Sequence, residues 1–437
     1  MCKMSDRKPA IAIALLWLPG LLLAQALPQD DRYVHEGVAT CAASQCHGSA
    51  VPRDGSNVFQ NEYVTWTQND PHSKAFQVLG SDESQAMARR LGIDDASTAG
   101  VCLDCHADNV PSSRRGERFQ ISDGVSCEAC HGGAQDWLAT HYNAATVSHA
   151  DNVAAGLYPN DRVKARADLC LSCHLGTEDK FATHRIMAAG HPRLAFELDT
   201  FTELWRTAGR QPHYHVDADY RQRKNAPSHS YTWGAGLIAD GRHRLALILS
   251  PGFTGDTMFP ELGLYDCHAC HRSMKSVQWR RLPRQGGAGP GVPFINDSSF
   301  VMIAALSRVI DPSRAAAVDA ALAQLYVSGS ESADAVRSAA RAMDSLLAGM
   351  QSGLAEASFR GKERSILSEI LRSGAAGNFL DYEAAEQAFM AVQMLVFELH
   401  DDALQEEVDA LGDALQDDER YRPAQFARLL AVFEGID

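Results

Sequence analysis

Cys127-Glu128-Ala129-Cys130-His131 is the stretch from which the rest of this chain can be read. Three further segments share its spacing: Cys102-Leu103-Asp104-Cys105-His106, Cys170-Leu171-Ser172-Cys173-His174 and Cys267-His268-Ala269-Cys270-His271. A wider version, Cys41-Ala42-Ala43-Ser44-Gln45-Cys46-His47, precedes them. C-x-x-C-H is the attachment signature of a c-type haem. Two thiols on one turn of chain bond the vinyl groups on one edge of the porphyrin, and the histidine that follows is carried under the iron as proximal ligand. Cys41, Cys46, Cys102, Cys105, Cys127, Cys130, Cys170, Cys173, Cys267 and Cys270 are therefore candidate attachment residues. His47, His106, His131, His174 and His271 are candidate proximal ligands. Paired CxxC elements also build zinc sites, but zinc does not need a histidine after every pair. Closely spaced cysteines bridge mainly in redox motifs, and four such motifs in one chain would be odd. At the wide motif, attachment through Cys46 alone, or no haem, stays open.

The cysteine count supports this reading. Of eleven cysteines, Cys2 falls in the N-terminal leader, and the five motifs use the other ten. None is left for a structural disulfide. Residues 1–26 read as a signal peptide: Lys3, Arg7 and Lys8 precede an apolar run from Ala10 to about Ala24, and Ala24-Gln25-Ala26 is a cleavage site. The run is too short for a membrane span. Export fits covalent haem attachment, and the expected location is the periplasm. The net charge is −15 for the 437 residues. Three basic residues and one acidic residue leave with the leader, so the mature chain carries about −17. Nucleic acid and anionic membrane surfaces are excluded as natural partners, whereas a redox partner with a basic docking face would be steered in.

Twelve histidines lie outside the proximal positions. His72 follows Pro71 at the end of an aromatic helix that begins near Glu62 and is a candidate distal ligand. His141 lies one short helix beyond the third motif and is a second candidate, with His149 as its alternative. His184 and His191 are seven residues apart, nearly two helical turns, but Gly190 and Pro192 break the helix between them. They read as two ligands serving two haems. His213, in a polar-aromatic strip, is the fifth candidate. His268, inside the last motif, is badly placed for its own haem and reads as no haem ligand. Arg242-His243-Arg244 reads as a basic spot for haem propionates or solvent. A short helix is expected over 81–93.

The division expected is a signal peptide (1–26), a multihaem cytochrome c domain (27–280), a Gly/Pro-rich linker (281–293) and an α-helical C-terminal region (294–437). In that last region Tyr382, Ala385, Phe389, Val392, Val396 and Leu399 recur at helical spacing and form one buried stripe. Similar patterns recur near 299–310, 313–326, 331–351, 361–372, 402–415 and 423–434. Met390 and Met394 belong to the core of this region. The fold class is mainly α: a loop-rich multihaem domain with stacked haems, then a helical bundle or helical cover.

The chain resembles the cytochrome c-554 class of multihaem cytochromes, the cytochrome c-552/4 domain family. The resembling residues are Cys41 to Gly48, Trp66 through His72-Ser73-Lys74-Ala75-Phe76, Cys127 through Trp137 and His141, Gly190-His191-Pro192-Arg193-Leu194, and Phe259-Pro260-Glu261-Leu262 leading to Cys267. They span roughly residues 40 to 275, and the tail after 293 is not covered. The resemblance implies periplasmic electron transfer through closely stacked haems with mostly two histidine ligands. The family pattern has four haems, whereas five motifs stand here. No catalytic residue is expected of an electron carrier. The competing expectation is a multihaem reductase with one open haem acting on nitrite, hydroxylamine or a related small oxyanion. Such pentahaem enzymes typically use a CxxCK site, and no motif here ends in lysine.

Overall fold

The computed structural model describes residues 26–53, 58–143, 145–207, 213–214, 216–254, 260–271, 294–379 and 381–433. The expected leader (all but its last residue) and the Gly/Pro-rich linker lie outside the described residues. What is described is mainly helical and loop-rich. Only isolated bridges stand in for strands among the described residues, at His35 with Arg115 and Tyr265 with Ile295.

The N-terminal part consists of short helices and 3-10 turns. The long helices come later: His229–Leu249, Ser298–Ile310, Pro312–Ser328, Ala333–Gly353, Glu363–Ala375 and Tyr382–Glu398. Their starts follow local rules. Ser228, Ser332 and Asp381 each accept a backbone N–H from inside the first turn. Pro312 and Pro423 occupy first-turn positions, where a missing N–H costs nothing. The C-terminal helices lie where the sequence periodicity puts them, and Met390 and Met394 are buried. The short helix expected over 81–93 runs Asp82–Leu91, and Gly92 closes it in a left-handed conformation.

The helix His229–Leu249 was not legible in the sequence. Fourteen of its 21 residues are buried. It packs against Val163–His174, Leu198–Thr207, Ser298–Ile310, Ala333–Gly353 and Tyr382–Glu398. Glycines let those neighbours come close: a Cβ on Gly234 would stand 2.6 Å from the Phe359 ring, and one on Gly241 would stand 2.9 Å from Ile303. One apolar core therefore joins Val163, Leu171, Leu198 and Trp233 to Phe300, Met343, Ile366, Leu395 and Phe426. The fourth motif ends the helix Val163–His174, so this core fixes it directly. Phe359 is fully buried. Phe359→Ala is expected to cost about 3–5 kcal/mol of stability, read as a lower denaturation midpoint with no change in the haem spectrum.

The Arg242-His243-Arg244 spot is partly exposed, as a basic spot meeting solvent would be, and it is also paired within the protein. Its side chains pair with acids of the helical body: Arg242 with Asp344 at 2.8 Å, His243 with Asp168 at 3.2 Å and Arg244 with Asp240 at 2.8 Å. The central helix holds Arg242 and Arg244 in partly buried positions, where their charges are met by Asp344 and Asp240.

Candidate haem-binding core

The strict motifs fall on helix ends: Gly100–His106, Cys127–His131, Val163–His174 and Cys267–Cys270, with His271 directly after the last. Positions i, i+3 and i+4 share one helix face, so both thiols and the histidine point the same way. The wide motif achieves this differently. Val38–Cys41 is one helical turn, and the extra residues loop out under bonds from His47 N–H to Cys41 O (3.2 Å) and Gly48 N–H to Ala43 O (3.0 Å). All ten described cysteines are free of disulfides.

Four motif histidines each face one histidine from outside the motifs. The ring centroids are 6.2 Å apart for His47 and His141, 6.0 Å for His72 and His174, 6.3 Å for His106 and His191, and 6.2 Å for His184 and His271. Two metal–nitrogen bonds of about 2 Å, plus two imidazole half-widths of about 1.2 Å, span about 6.4 Å. The spacing therefore fits an iron between the two rings of each pair. The ring nitrogens are prepared for it as well. Nδ1 is held by Glu62 in His47 (2.8 Å), by Asp70 in His72 (2.9 Å), and by the carbonyls of Ala75 in His106 (3.0 Å), Leu138 in His141 (2.7 Å) and Pro192 in His191 (2.7 Å). With Nδ1 donating to oxygen, Nε2 keeps its lone pair for a metal. Burial pushes His174 down to about 4, so its ring is neutral, as a ligand must be.

The second member of each pair is placed by local structure. Asp70 caps the turn Pro71–Lys74, and its carboxylate takes both the backbone N–H and the Nδ1 of His72. Burial works against this carboxylate, but the His213 and His72 hydrogen bonds hold it well below its ordinary range. His141 lies in a run of turns rather than the short helix expected, bonded back to Trp137 O at 3.0 Å. The helix His184–Ala188 stops at Gly190, whose φ of +122° redirects the chain. His184 thus faces one motif and His191 another. Arg90 and Arg185 tie this segment to the helix Asp82–Leu91, through Ala189 O (2.6 Å) and Leu91 O (3.0 Å). Glu261 accepts from the N–H groups of His184 and Gly263, joining the segment to the approach of the last motif.

His131 differs from the other four motif histidines. Among the described residues no ring stands opposite it. Burial, then the charges of His213 and Lys224, push it down to about 4. His213 lies close by, with Nε2 3.4 Å from Asp70 Oδ2. His149 bonds Asp161 at 3.0 Å instead of facing a motif. Gly132, at φ +79°, turns the chain directly after His131, and a Cβ there would stand 2.6 Å from Gly156 O.

The motifs also lie against one another. The thiols of Cys41 and Cys127 lie close enough to perturb each other's titration, as do those of Cys105 and Cys173. Cys130 is raised by burial and then by Cys170. Lys180 Nζ links Cys173 Sγ (3.2 Å) to Asp104 O (3.4 Å).

Sequence reasoning missed the supporting acids. Glu128, within the third motif and 1% exposed, accepts the N–H groups of Glu36, Gly37 and Ala134. His35 is fully buried, with Asp108 at 2.8 Å and Asp31 at 3.8 Å. Burial pulls it down, yet the hydrogen bond to Asp108 and the nearby Asp31 carboxylate push it up to about 10. Its folded-state value is raised, so its contribution to stability is complete below about pH 6.5 and disappears as pH rises through about 10. Denaturant midpoints are expected to fall across that window in the native chain and to fall less in His35→Gln.

Residues 40–132 match the family model described as cytochrome c554 and c-prime. The match supports a c-type cytochrome family with an electron-transfer role, and this family implies covalently bound haem c with its iron. No curated protein and no solved structure matches the chain.

Proposed function

We propose that the protein is a periplasmic electron carrier that holds five haems, one on each motif, with four of them closed by two imidazoles. The observation that carries this reading is the set of four histidine pairs spaced at 6.0–6.3 Å. When bound, haem c supplies a one-electron couple at iron. The chain's part would be to hold each haem between two imidazoles and to set neighbouring sites close together. His47 with His141, His174 with His72, His106 with His191 and His271 with His184 would be the ligand pairs. The thiol contacts order the sites in space as Cys41/Cys46, Cys127/Cys130, Cys170/Cys173 and Cys102/Cys105. The His184–His191 segment then leads from the last of these to Cys267/Cys270. This spatial order differs from the order along the chain. The acidic surface suits a redox partner with a basic docking face.

Intact mass and haem content of the mature, exported protein test the count. Five haems per chain are expected. Four would remove Cys41 and Cys46 from the attachment set, and a cytoplasmic, uncleaved chain would overturn the location.

A second reading is favoured by His131. With no ring opposite it among the described residues, a haem there could accept a small ligand, as a reductase of nitrite or hydroxylamine requires. Carbon monoxide binding by one haem per reduced chain would favour this reading. Complete failure to bind would leave only the carrier.

A further inference from the structure

We propose that Asp266, His268 and Glu383 form a binding site for one divalent first-row cation of the zinc class, at the seam between the last cysteine motif and the helix Tyr382–Glu398. The site would be separate from the haem irons. One donor atom from each residue lies within 4.8 Å of the others. His268 Nδ1 stands 3.4 Å from the Glu383 carboxylate. Glu383 is 5% exposed, and its Oε1 has no hydrogen-bond partner. A buried carboxylate oxygen without a well-formed hydrogen bond is costly, and this one points into the cluster, 3.4 Å from His268 Nδ1. One imidazole and two carboxylates are a donor set that zinc accepts, with a fourth position for water.

The surroundings fit a cation. Asp266 and Glu383 interact side by side, and Asp381 and Asp418 add further negative charge. The neighbouring cation Arg193 is already engaged, by Glu386 at 2.5 Å and by the Tyr382 ring. His268 Nε2 faces Asp418 Oδ2 at 3.3 Å. That is the carboxylate–histidine–metal arrangement, in which the outer carboxylate orients the ring and strengthens its donor nitrogen. The backbone N–H of His268 also bonds Asp266 Oδ1 at 2.9 Å, which fixes two of the three donors relative to one another.

The test uses the full haem-loaded chain, stripped with a chelator and titrated with zinc by equilibrium dialysis and elemental analysis. Saturable uptake of about one zinc per chain is expected. Asp418→Asn should weaken it about tenfold, and Glu383→Gln and His268→Gln should each weaken it further, with the haem spectrum unchanged in all three. His400→Gln, which alters a histidine outside the cluster, should bind as the native chain does. No saturable uptake by the native chain would overturn the proposal, and this result does not depend on any variant folding. Equal uptake by Glu383→Gln would overturn it as well.

Discussion

His72→Ala is expected to turn one low-spin ferric haem into a high-spin one and to let the reduced protein bind one more carbon monoxide than the native chain does. The reason is geometric. His72 and His174 face each other at 6.0 Å, and His174 has no other histidine across from it among its ring contacts. Phe196 stacks on the His174 ring at 4.6 Å, and phenylalanine has no lone pair to offer. Removing His72 therefore leaves a position that carbon or solvent must fill. Electron paramagnetic resonance of the ferric protein and carbon monoxide titration of the reduced protein read the two effects. An unchanged spectrum in a folded, fully loaded variant would take His72 off the ligand list. His149→Ala provides the contrast: its ring is bonded to Asp161, and its spectrum should match the native one.

Asp70→Asn is expected to raise the potential of the same haem by about 60 mV, a tenfold change in a one-electron equilibrium. An anionic acceptor at Nδ1 makes the imidazole a stronger donor and favours ferric iron. Asparagine keeps the shape and an acceptor oxygen but removes the charge. Glu62→Gln should act in the same direction on the haem held by His47, because Glu62 stands 2.8 Å from His47 Nδ1. Spectroelectrochemical titration separates these shifts from loss of haem, which would appear in the absorbance before any potential was applied. A shift downward in both variants would contradict the assigned role.

The local part of the site was legible in the sequence, because a C-x-x-C-H spacing fixes its own geometry on one helix turn. Two of the candidate distal histidines stand out in the sequence for a related reason: His72 follows Pro71, and His191 lies between Gly190 and Pro192. The pairing was not legible. Nothing near His191 says that it faces His106 and not His174. The acids behind the rings were also hidden, although the Asp70-Pro71 step is a recognisable helix-start signal. The long helix His229–Leu249 went unrecognised because it is buried nearly all round and rich in glycine, so it shows no polar face and no amphipathic period. The C-terminal helices were legible because most of them keep one wet face. Their sharing of one core with Trp233 and Leu171 was not, since packing partners distant in sequence leave no local trace.

The four histidine pairs have a consequence for how the protein is made. Each ring waits for a partner between 85 residues away (106 to 191) and 102 residues away (72 to 174). Closing loops of that length costs chain entropy before any bond repays it. A newly made chain therefore cannot complete any of these centres from a single local segment. The cofactors would be attached one motif at a time, and each would hold an unfinished coordination shell until distant chain arrived. Maturation and folding are in that sense one process, and a shortage of haem should appear as proteolysis of the precursor and not as a pool of stable, empty protein.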